Sequence, residues 1–222
     1  MDLASSILEY HNNVSYSQLS QKAYNILLEF IIFLVLLPGS FHKEADICDA
    51  IKIGRTPIRE AFKRLEFVNF VSVLPRFGIQ ISELNFEDYS LCREVRCSIE
   101  DIAIRKTAFS ALPHERKIMS SIKDRYNTAF EQRNICNIIR ADRDFHNYVS
   151  ECSHNKFIGN ALLPFTLYDC RLFYLRYHSP DNQGEEFEYV NRMHIDMMQS
   201  IIDGDADKAA SLLRNFDYKS LS

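Results

Sequence analysis

The segment from Gly54 to Ile81 constrains the fold of this chain more than any other. Gly54 is suited to precede a helix, and Pro57 would fall in its first turn, where a missing backbone N–H is tolerated. Apolar residues then recur at i, i+3, i+4 and i+7 and predict one buried helical stripe, formed by Ile58, Ala61, Phe62 and Leu65. Alternating apolar residues on both sides of a turn at residues 74–78 predict a two-stranded hairpin after this helix.

A second face of the same predicted helix is cationic. Arg55, Arg59 and Lys63 recur at every fourth position. Six basic residues stand between Lys52 and Arg76 against two acidic ones, although the whole chain carries a net charge of −4. Such a helix is often only a solvated surface helix. A cationic face confined to one segment of a mildly acidic chain favours phosphate binding instead, so that the helix would enter a DNA groove beside the hairpin.

Beyond residue 82 the apolar spacing is helical throughout. It predicts helices over 86–108, from 113 onward, over 134–152, 156–177 and 184–203, and from 205 onward. Only six glycines and six prolines occur in 222 residues, which agrees with a mainly α-helical protein. We therefore predict a DNA-binding domain over residues 1–84 and an all-α bundle over residues 85–222.

Residues 26–37 form an apolar run interrupted by Glu29 and ended by Pro38. Such a run is too short to span a bilayer, and we interpret it as the first helix of the DNA-binding domain. The six cysteines include no C-x-x-C pair, which indicates reduced thiols. These observations predict a cytoplasmic protein with no membrane partner.

Two groups in the predicted bundle could carry chemistry. Asp142 and His146 are spaced i, i+4 on one helix face, and His194 lies on another predicted helix. Carboxylate and imidazole groups suit a divalent metal ion, although a structural or solvated role is the commoner outcome of this spacing. Arg96, with Glu94 and Glu100 beside it, could bind a carboxylate ligand through its planar fork, or pair with Glu100 on the helix surface.

The string Arg55-Thr56-Pro57-Ile58-Arg59-Glu60-Ala61, with the turn at residues 75–78, resembles the winged helix-turn-helix of the GntR family of transcription regulators. The resemblance implies an N-terminal DNA-binding domain, a C-terminal effector-binding domain and a homodimer on a double-stranded DNA operator. The DNA-contacting residues that it implies are Arg55, Thr56, Pro57, Arg59, Lys63, Arg76 and Gly78. Two positions depart from the family: Ala45 replaces a basic residue, and Lys52 replaces a glycine. Lys52 must then adopt a left-handed conformation, at about 1 kcal/mol, or the turn differs.

The bundle resembles the C-terminal domain of the FadR-type branch, known as the FCD domain. The strings that carry this resemblance are Glu94-Val95-Arg96 with Glu100, Asp142-Arg143-Asp144-Phe145-His146 with Asn155, and His194 followed by Gly204-Asp205. Many members hold a divalent metal ion through one aspartate and three histidines, and the metal helps to bind a small organic acid. The resemblance implies Asp142, His146 and His194 as ligands of zinc, nickel or manganese, and Arg96 and Asn155 as effector contacts.

The fourth ligand is missing, because Phe216 stands where the last histidine is expected. Three protein ligands with water or effector could still hold an ion, His178 could replace the missing ligand, or the pocket could work without metal. The expected function is that of a ligand-responsive transcription regulator and not of an enzyme. Two alternatives stay open: a metal-dependent enzyme built on Asp142, His146 and His194, and a regulator whose bundle only dimerises.

Overall fold

The computed structural model describes residues 2–85 and 87–215, within which the chain forms ten α-helices and three β-strands. The chain divides into two compact units, Met1–Leu84 and Asn85–Ser222. All three strands belong to the first unit, and the described part of the second unit is helical. The prediction of a mainly α fold, with a small hairpin in the first unit and a helical bundle in the second, is confirmed.

The first unit contains one helix more than predicted. Its elements are α1 (Leu3–Asn12), α2 (Leu19–Ile32), β1 (Phe41–His42), α3 (Glu44–Ile51), α4 (Arg55–Phe67), β2 (Val71–Leu74) and β3 (Gly78–Ile81). The prediction that the apolar run supplies the first helix was therefore wrong, since the run contains the end of α2. Helix α1 packs on α2 through buried His11, whose Nε2 lies 3.2 Å from a carboxylate oxygen of buried Glu29.

Helices α3 and α4 form the helix-turn-helix. Gly54 precedes α4 with extended backbone angles, as predicted. The apolar stripe of α4 faces the core and is almost completely buried at Ile58, Ala61, Phe62 and Leu65. Burying a side chain of the size of leucine, isoleucine or phenylalanine stabilises the fold by about 1.5–3 kcal/mol, so this stripe fixes α4 in place. Lys52 ends α3 in the left-handed conformation, with φ 59° and ψ 35°.

The hairpin belongs to a three-stranded antiparallel sheet of order β1-β3-β2. Val71 pairs with Ile81 and Val73 with Ile79, so the predicted hairpin is observed in full. Val73, however, is 41% exposed, and the short strand β1 was not predicted. Gly78 has φ 111°, and a Cβ atom there would clash with the carbonyl oxygen of His42 in β1. This close approach of the two strands requires glycine.

The second unit is a bundle of six helices within the residues that the structure describes. They are α5 (Asp88–Ser110), α6 (Pro113–Glu131), α7 (Ile135–Cys152), α8 (Lys156–Tyr177), α9 (Glu185–Asp203) and α10 (Ala206–Asn215). The side chains of Asn134 and Asn155 cap the first turns of α7 and α8. Gly204 ends α9 with φ 83°, a left-handed conformation that glycine adopts without steric cost. These caps explain why the predicted bounds agree with the observed ones to within a few residues.

Large apolar side chains from α6, α7 and α9 meet in the core of the bundle, among them Tyr126, Phe145 and Phe187. Arg116 joins two helix ends, because its guanidinium donates to the carbonyl oxygens of Ala108 and Ile201 at 2.8 and 2.5 Å. All six cysteines are free thiols. Among residues 2–85 and 87–215, no helix is both long enough and apolar enough to cross a membrane.

Candidate functional sites

The first candidate site is the exposed face of α4 together with the hairpin tip. Arg55, Arg59 and Lys63 are exposed on the side of α4 that faces away from its apolar stripe. A cavity of about 400 Å³ lies between α4 and the hairpin, and Arg59, Lys63 and Arg76 line it together. Thr56 is exposed and Pro57 half-buried in the first turn of α4. Helix and hairpin therefore contribute cations to one surface, which these cations share with the carboxylates of Glu44 and Glu66.

Three of the side chains near this surface have specific partners. The Nε atom of Arg59 donates to a carboxylate oxygen of Glu44 at 2.7 Å, while 64% of the Arg59 side chain remains exposed. Glu66 accepts a hydrogen bond from the backbone N–H of Val73 at 2.9 Å and so fastens the hairpin to α4. Arg64 instead packs against α2, with its guanidinium 3.9 Å from the ring centroid of Tyr24. Arg64 therefore does not belong to the cationic surface.

The hairpin tip carries Arg76 and Phe77, both exposed. Arg76 adopts a left-handed conformation with φ 71°. A non-glycine residue in this region is uncommon, and it occurs mostly in turns. In this conformation the chain reverses its direction just before Gly78, at the tip of the hairpin.

The second candidate site is a buried polar cluster formed by six residues of four helices, which we call the polar cluster. Its members are Arg96 and Glu100 of α5, Asp142 and His146 of α7, Asp169 of α8 and His194 of α9. Asp142, His146 and His194 each direct one possible ligand atom to a common point, with these atoms within 4.8 Å of one another. The structure thus brings the three predicted metal ligands together.

Both histidines of the polar cluster have one ring nitrogen fixed by an oxygen acceptor. His194 Nδ1 donates to the carbonyl oxygen of Val190 at 2.8 Å, and His146 Nδ1 contacts the carboxylate of Glu100. The Nε2 atoms of both rings face Asp142 Oδ1, at 3.5 Å from His146 and 3.3 Å from His194. Metal-binding histidines usually have this arrangement, in which an acceptor orients the ring through the nitrogen that does not bind the metal.

Arg96 lies inside the bundle and is 8% exposed. Its Nε atom pairs with Glu100 at 3.0 Å, its Nη1 atom with Asp169, and its Nη2 atom lies 2.9 Å from His146 Nε2. The i, i+4 pair with Glu100, one of the two alternatives for Arg96, is present, but it lies inside the bundle and not on its surface, since Glu100 is fully buried. Neighbouring Glu94 is exposed to solvent.

The charges of the polar cluster shift the pKa values of its members. Burial by itself raises the pKa of Glu100 and of Asp142, but the positive charges around them outweigh burial. Arg96 and His146 hold the pKa of Glu100 at about 2, and the two histidines hold that of Asp142 well below its usual range. Both carboxyl groups are therefore ionised at neutral pH.

The two histidines respond in opposite directions. Burial lowers the pKa of His194. Burial acts in the same sense on His146, but the carboxylate of Glu100 outweighs it and raises the pKa to about 8. The contact with Arg96 opposes this rise in the pKa of His146. An N–H of Arg96 lies 2.9 Å from His146 Nε2, and Nε2 can accept a hydrogen bond only when the ring is neutral.

The residues present fit a divalent metal ion. Asp142 Oδ1 is buried and accepts no hydrogen bond from the residues that the structure describes. Two imidazole nitrogens and one carboxylate oxygen are a donor set that zinc, nickel and manganese accept. His178 is not part of this group: it caps the end of α8, and its Nδ1 lies 3.0 Å from the carbonyl oxygen of Leu175. Phe216 lies outside the described residues.

Asn155, the second expected effector contact, lies at the junction of α7 and α8. Its side-chain oxygen accepts a hydrogen bond from the N–H of Phe157 at 3.2 Å and caps α8. It lines a surface cavity of about 620 Å³ with Ser150, His154 and Lys156. The members of the polar cluster are not among the residues that line this cavity.

Two residues with clear structural roles were not predicted. Glu44 holds Arg59, and Asp169 pairs with Arg96. Asp169 had a signal in the sequence, because it is the one carboxylate in an otherwise apolar and basic helix α8. An isolated acid within a buried helix needs a cationic partner, and this requirement could have linked it to Arg96.

Comparison with known proteins identifies the bundle. The model of the FCD domain family matches residues 92–216. YdhC of Bacillus subtilis (strain 168), an HTH-type transcriptional regulator, is 26% identical over 140 residues, which are 63% of this chain and 62% of YdhC. The match therefore spans less than two thirds of that protein. The transcriptional repressor RspR of Escherichia coli (strain K12) is 21% identical over 193 residues, covering 86% of this chain and 83% of RspR.

Solved structures share the fold. McbR/YncC of E. coli has a TM-score of 0.71 at 18% identity, covering 90% of this chain and 95% of its own. A GntR-type regulator from Rhodococcus sp. RHA1 has a TM-score of 0.55 at 19% identity, covering 89% of this chain and 99% of its own. These relatives are transcription regulators and not enzymes. The chain belongs to the FCD domain family and is a transcriptional regulator of the GntR type.

Proposed function

We propose that this regulator is a cytoplasmic homodimer that binds a short DNA operator through α4 and the hairpin, and that a small organic acid in the bundle modulates this binding. The observation that carries the proposal is the surface that Arg59 and Lys63 of α4 form with Arg76 of the hairpin, with Arg55 also exposed in the first turn of α4. A helix with such a face suits the major groove, where an arginine can bind a guanine edge through two hydrogen bonds.

The exposed cations have distinct proposed roles. Arg55 and Arg59 lie at the start of α4 and would contact base edges, together with Thr56, while Pro57 fixes the first turn. Lys63 and Arg76 would contact phosphates and supply salt-dependent affinity. Glu44 holds the Nε edge of Arg59 and would thereby direct the exposed end of its guanidinium.

The test replaces Arg55 and Arg59 singly by alanine. The DNA is a fragment that the wild-type protein selects from a random library, and binding is measured by fluorescence anisotropy at fixed salt. Each bidentate contact accounts for about 1–3 kcal/mol of discrimination, so we expect each variant to lose roughly 5- to 150-fold in affinity. Arg125→Ala is the control, because Arg125 is an exposed arginine of the bundle. If both α4 variants bind the DNA as tightly as the wild type, the proposal is wrong.

For the bundle, we propose that Asp142, His146 and His194 hold a divalent metal ion, with water or the effector in a remaining position. When bound, the ion would act as a Lewis acid toward the effector carboxylate. Arg96 is the proposed arginine contact of the acid, and Asn155 a second, more distant one. The acid would change the spacing of the two DNA-binding units, which alters affinity only if it binds the two spacings unequally.

The metal is tested by incubating the protein with zinc, nickel or manganese, removing the excess by gel filtration, and measuring bound metal by mass spectrometry. We expect close to one ion per chain in the wild type and a large loss in His194→Ala. His178→Ala is the matched control, since His178 lies outside the group. Equal metal content in all three proteins would argue against this site. The bundle would then act without metal, or only in dimerisation.

A further inference from the structure

The guanidinium of Arg96 is already engaged on all three of its nitrogens. Nε pairs with Glu100, Nη1 with Asp169, and Nη2 with His146. A carboxylate ligand is usually bound by an arginine through two parallel hydrogen bonds from neighbouring nitrogens. An acid that binds Arg96 through two such bonds therefore competes with the partners that already occupy these nitrogens.

Glu100 and His146 are poorly placed to give way. Glu100 lies on the same helix as Arg96, is fully buried, and contacts His146 as well as Arg96. Moving Glu100 would leave an ionised carboxylate buried without its two partners, which is strongly unfavourable. In the bundle without metal, His146 accepts from Arg96 on Nε2 and is held on its other nitrogen by Glu100. These two residues form the fixed side of the arginine.

Asp169 is the partner that can leave. It comes from a different helix, α8, and its side chain is 13% exposed, against 0% for Glu100. Its Oδ2 atom pairs with Arg96, while its Oδ1 atom is buried and accepts no hydrogen bond within residues 2–85 and 87–215. Asp169 would give up its contact with Arg96 on leaving, whereas Glu100 would give up contacts with both Arg96 and His146.

We propose that Asp169 is an internal carboxylate that occupies Arg96 in the ligand-free bundle, and that an organic acid reaches the guanidinium only by displacing it. This inference rests on the proposed acid-binding function of the bundle. The displaced side chain has a route outward because it is already partly exposed.

The need to displace Asp169 limits which acids can bind Arg96. A simple monocarboxylate offers Arg96 the same group that Asp169 already provides, and it brings a further negative charge next to Glu100 and Asp142. It therefore gains little in the exchange, and binding of such an acid to the wild type is weak. Asp169 thus acts as a specificity-determining residue that rejects acids whose carboxylate is their only recognised group.

The test uses acetate as the probe, with protein freed of metal on a chelating resin. Binding is followed by the shift in unfolding temperature with sodium acetate at constant ionic strength, because a ligand that binds the folded state raises this temperature by mass action. We expect Asp169→Asn to bind acetate at least tenfold more tightly than the wild type. Asp144→Asn is the matched control: Asp144 is an exposed aspartate paired with Arg125 at 2.9 Å.

An unchanged acetate affinity in Asp169→Asn, or an equal gain in Asp144→Asn, would overturn the proposal. Asp169→Ser is a second variant that removes the same charge with a smaller side chain. If neither Asp169 variant folds, Asp169 is a structural ion-pair partner and not a displaceable one, which also overturns the proposal. DNA binding by the same proteins is measured separately, so that failure of the regulator function is distinguished from failure of this inference.

Discussion

Lys52, between the two helices of the helix-turn-helix, has a strained backbone conformation that can be tested by substitution. It ends α3 in the left-handed conformation, with its N–H bonded to the carbonyl oxygen of Cys48 at 2.9 Å. The sequence left two outcomes open here, a strained lysine or a different turn, and the structure has the strained lysine. A residue with a Cβ atom costs about 1–2 kcal/mol in this conformation, whereas glycine adopts it freely.

Replacing Lys52 by glycine is therefore expected to stabilise the first unit. The gain is about 0.5–1 kcal/mol, because the relief of strain exceeds the extra entropy that glycine gives the unfolded chain. It is measured by calorimetry as a higher unfolding temperature of the first unit. Lys52→Ala is the control, since it removes the same side chain but keeps the Cβ atom and hence the strain. A Gly variant no more stable than the Ala variant would contradict this account.

At the scale of single residues, the sequence predicted which polar residues converge in the bundle better than it predicted their burial and their partners. Asp142, His146 and His194 were singled out by residue type and spacing, and they converge in the bundle. The burial of Glu100 and the pairing of Arg96 with Asp169 were not predicted. Spacing along one helix places two residues on one face, but whether that face is buried depends on the helices packed against it. That information lies in residues far away along the chain.

At the scale of elements, the helices of the bundle, α4 and the hairpin were predicted, whereas α1 and β1 were not. Helix α4 and the hairpin follow directly from apolar spacing, and the caps at Asn134, Asn155 and Gly204 mark helix ends in the bundle. The two-residue strand β1 has no such pattern, because it exists only through its pairing with β3. Periodicity detects elements that bury a repeated face and overlooks those formed by a tertiary contact.

Helix α1 was overlooked for a related reason, although a signal was present. Glu29 interrupts an otherwise apolar run, and a buried carboxylate needs a partner. The structure supplies this partner from α1, where buried His11 lies 3.2 Å from Glu29 and its Nδ1 contacts the hydroxyl of Tyr16 at 2.5 Å. The acid in the apolar helix thus indicated a further packed element before α2.

At the scale of the whole molecule, the proposed homodimer needs a contact face, and α5 offers one. Four large apolar side chains lie exposed along a single stripe of this helix: Leu91, Val95, Ile102 and Phe109, with 62%, 44%, 53% and 87% of their surface accessible. Their spacing of four and seven residues keeps them within about 40° of one another around the helix axis. A stripe of this kind, packed against its copy across a twofold axis, would bury apolar surface on both chains.

Ile102→Glu tests this face, because it places a charge at the centre of the stripe. We expect the variant to sediment as a monomer at concentrations where the wild type is a dimer, as measured by analytical ultracentrifugation, since an unpaired charge is strongly disfavoured in an apolar interface. Operator affinity should fall in parallel, because each half-site is then bound independently. Ile118→Glu on α6 is the matched control, as Ile118 is a similarly exposed isoleucine. A wild type that sediments as a monomer, or two variants that dimerise equally well, would exclude α5 as the dimer contact.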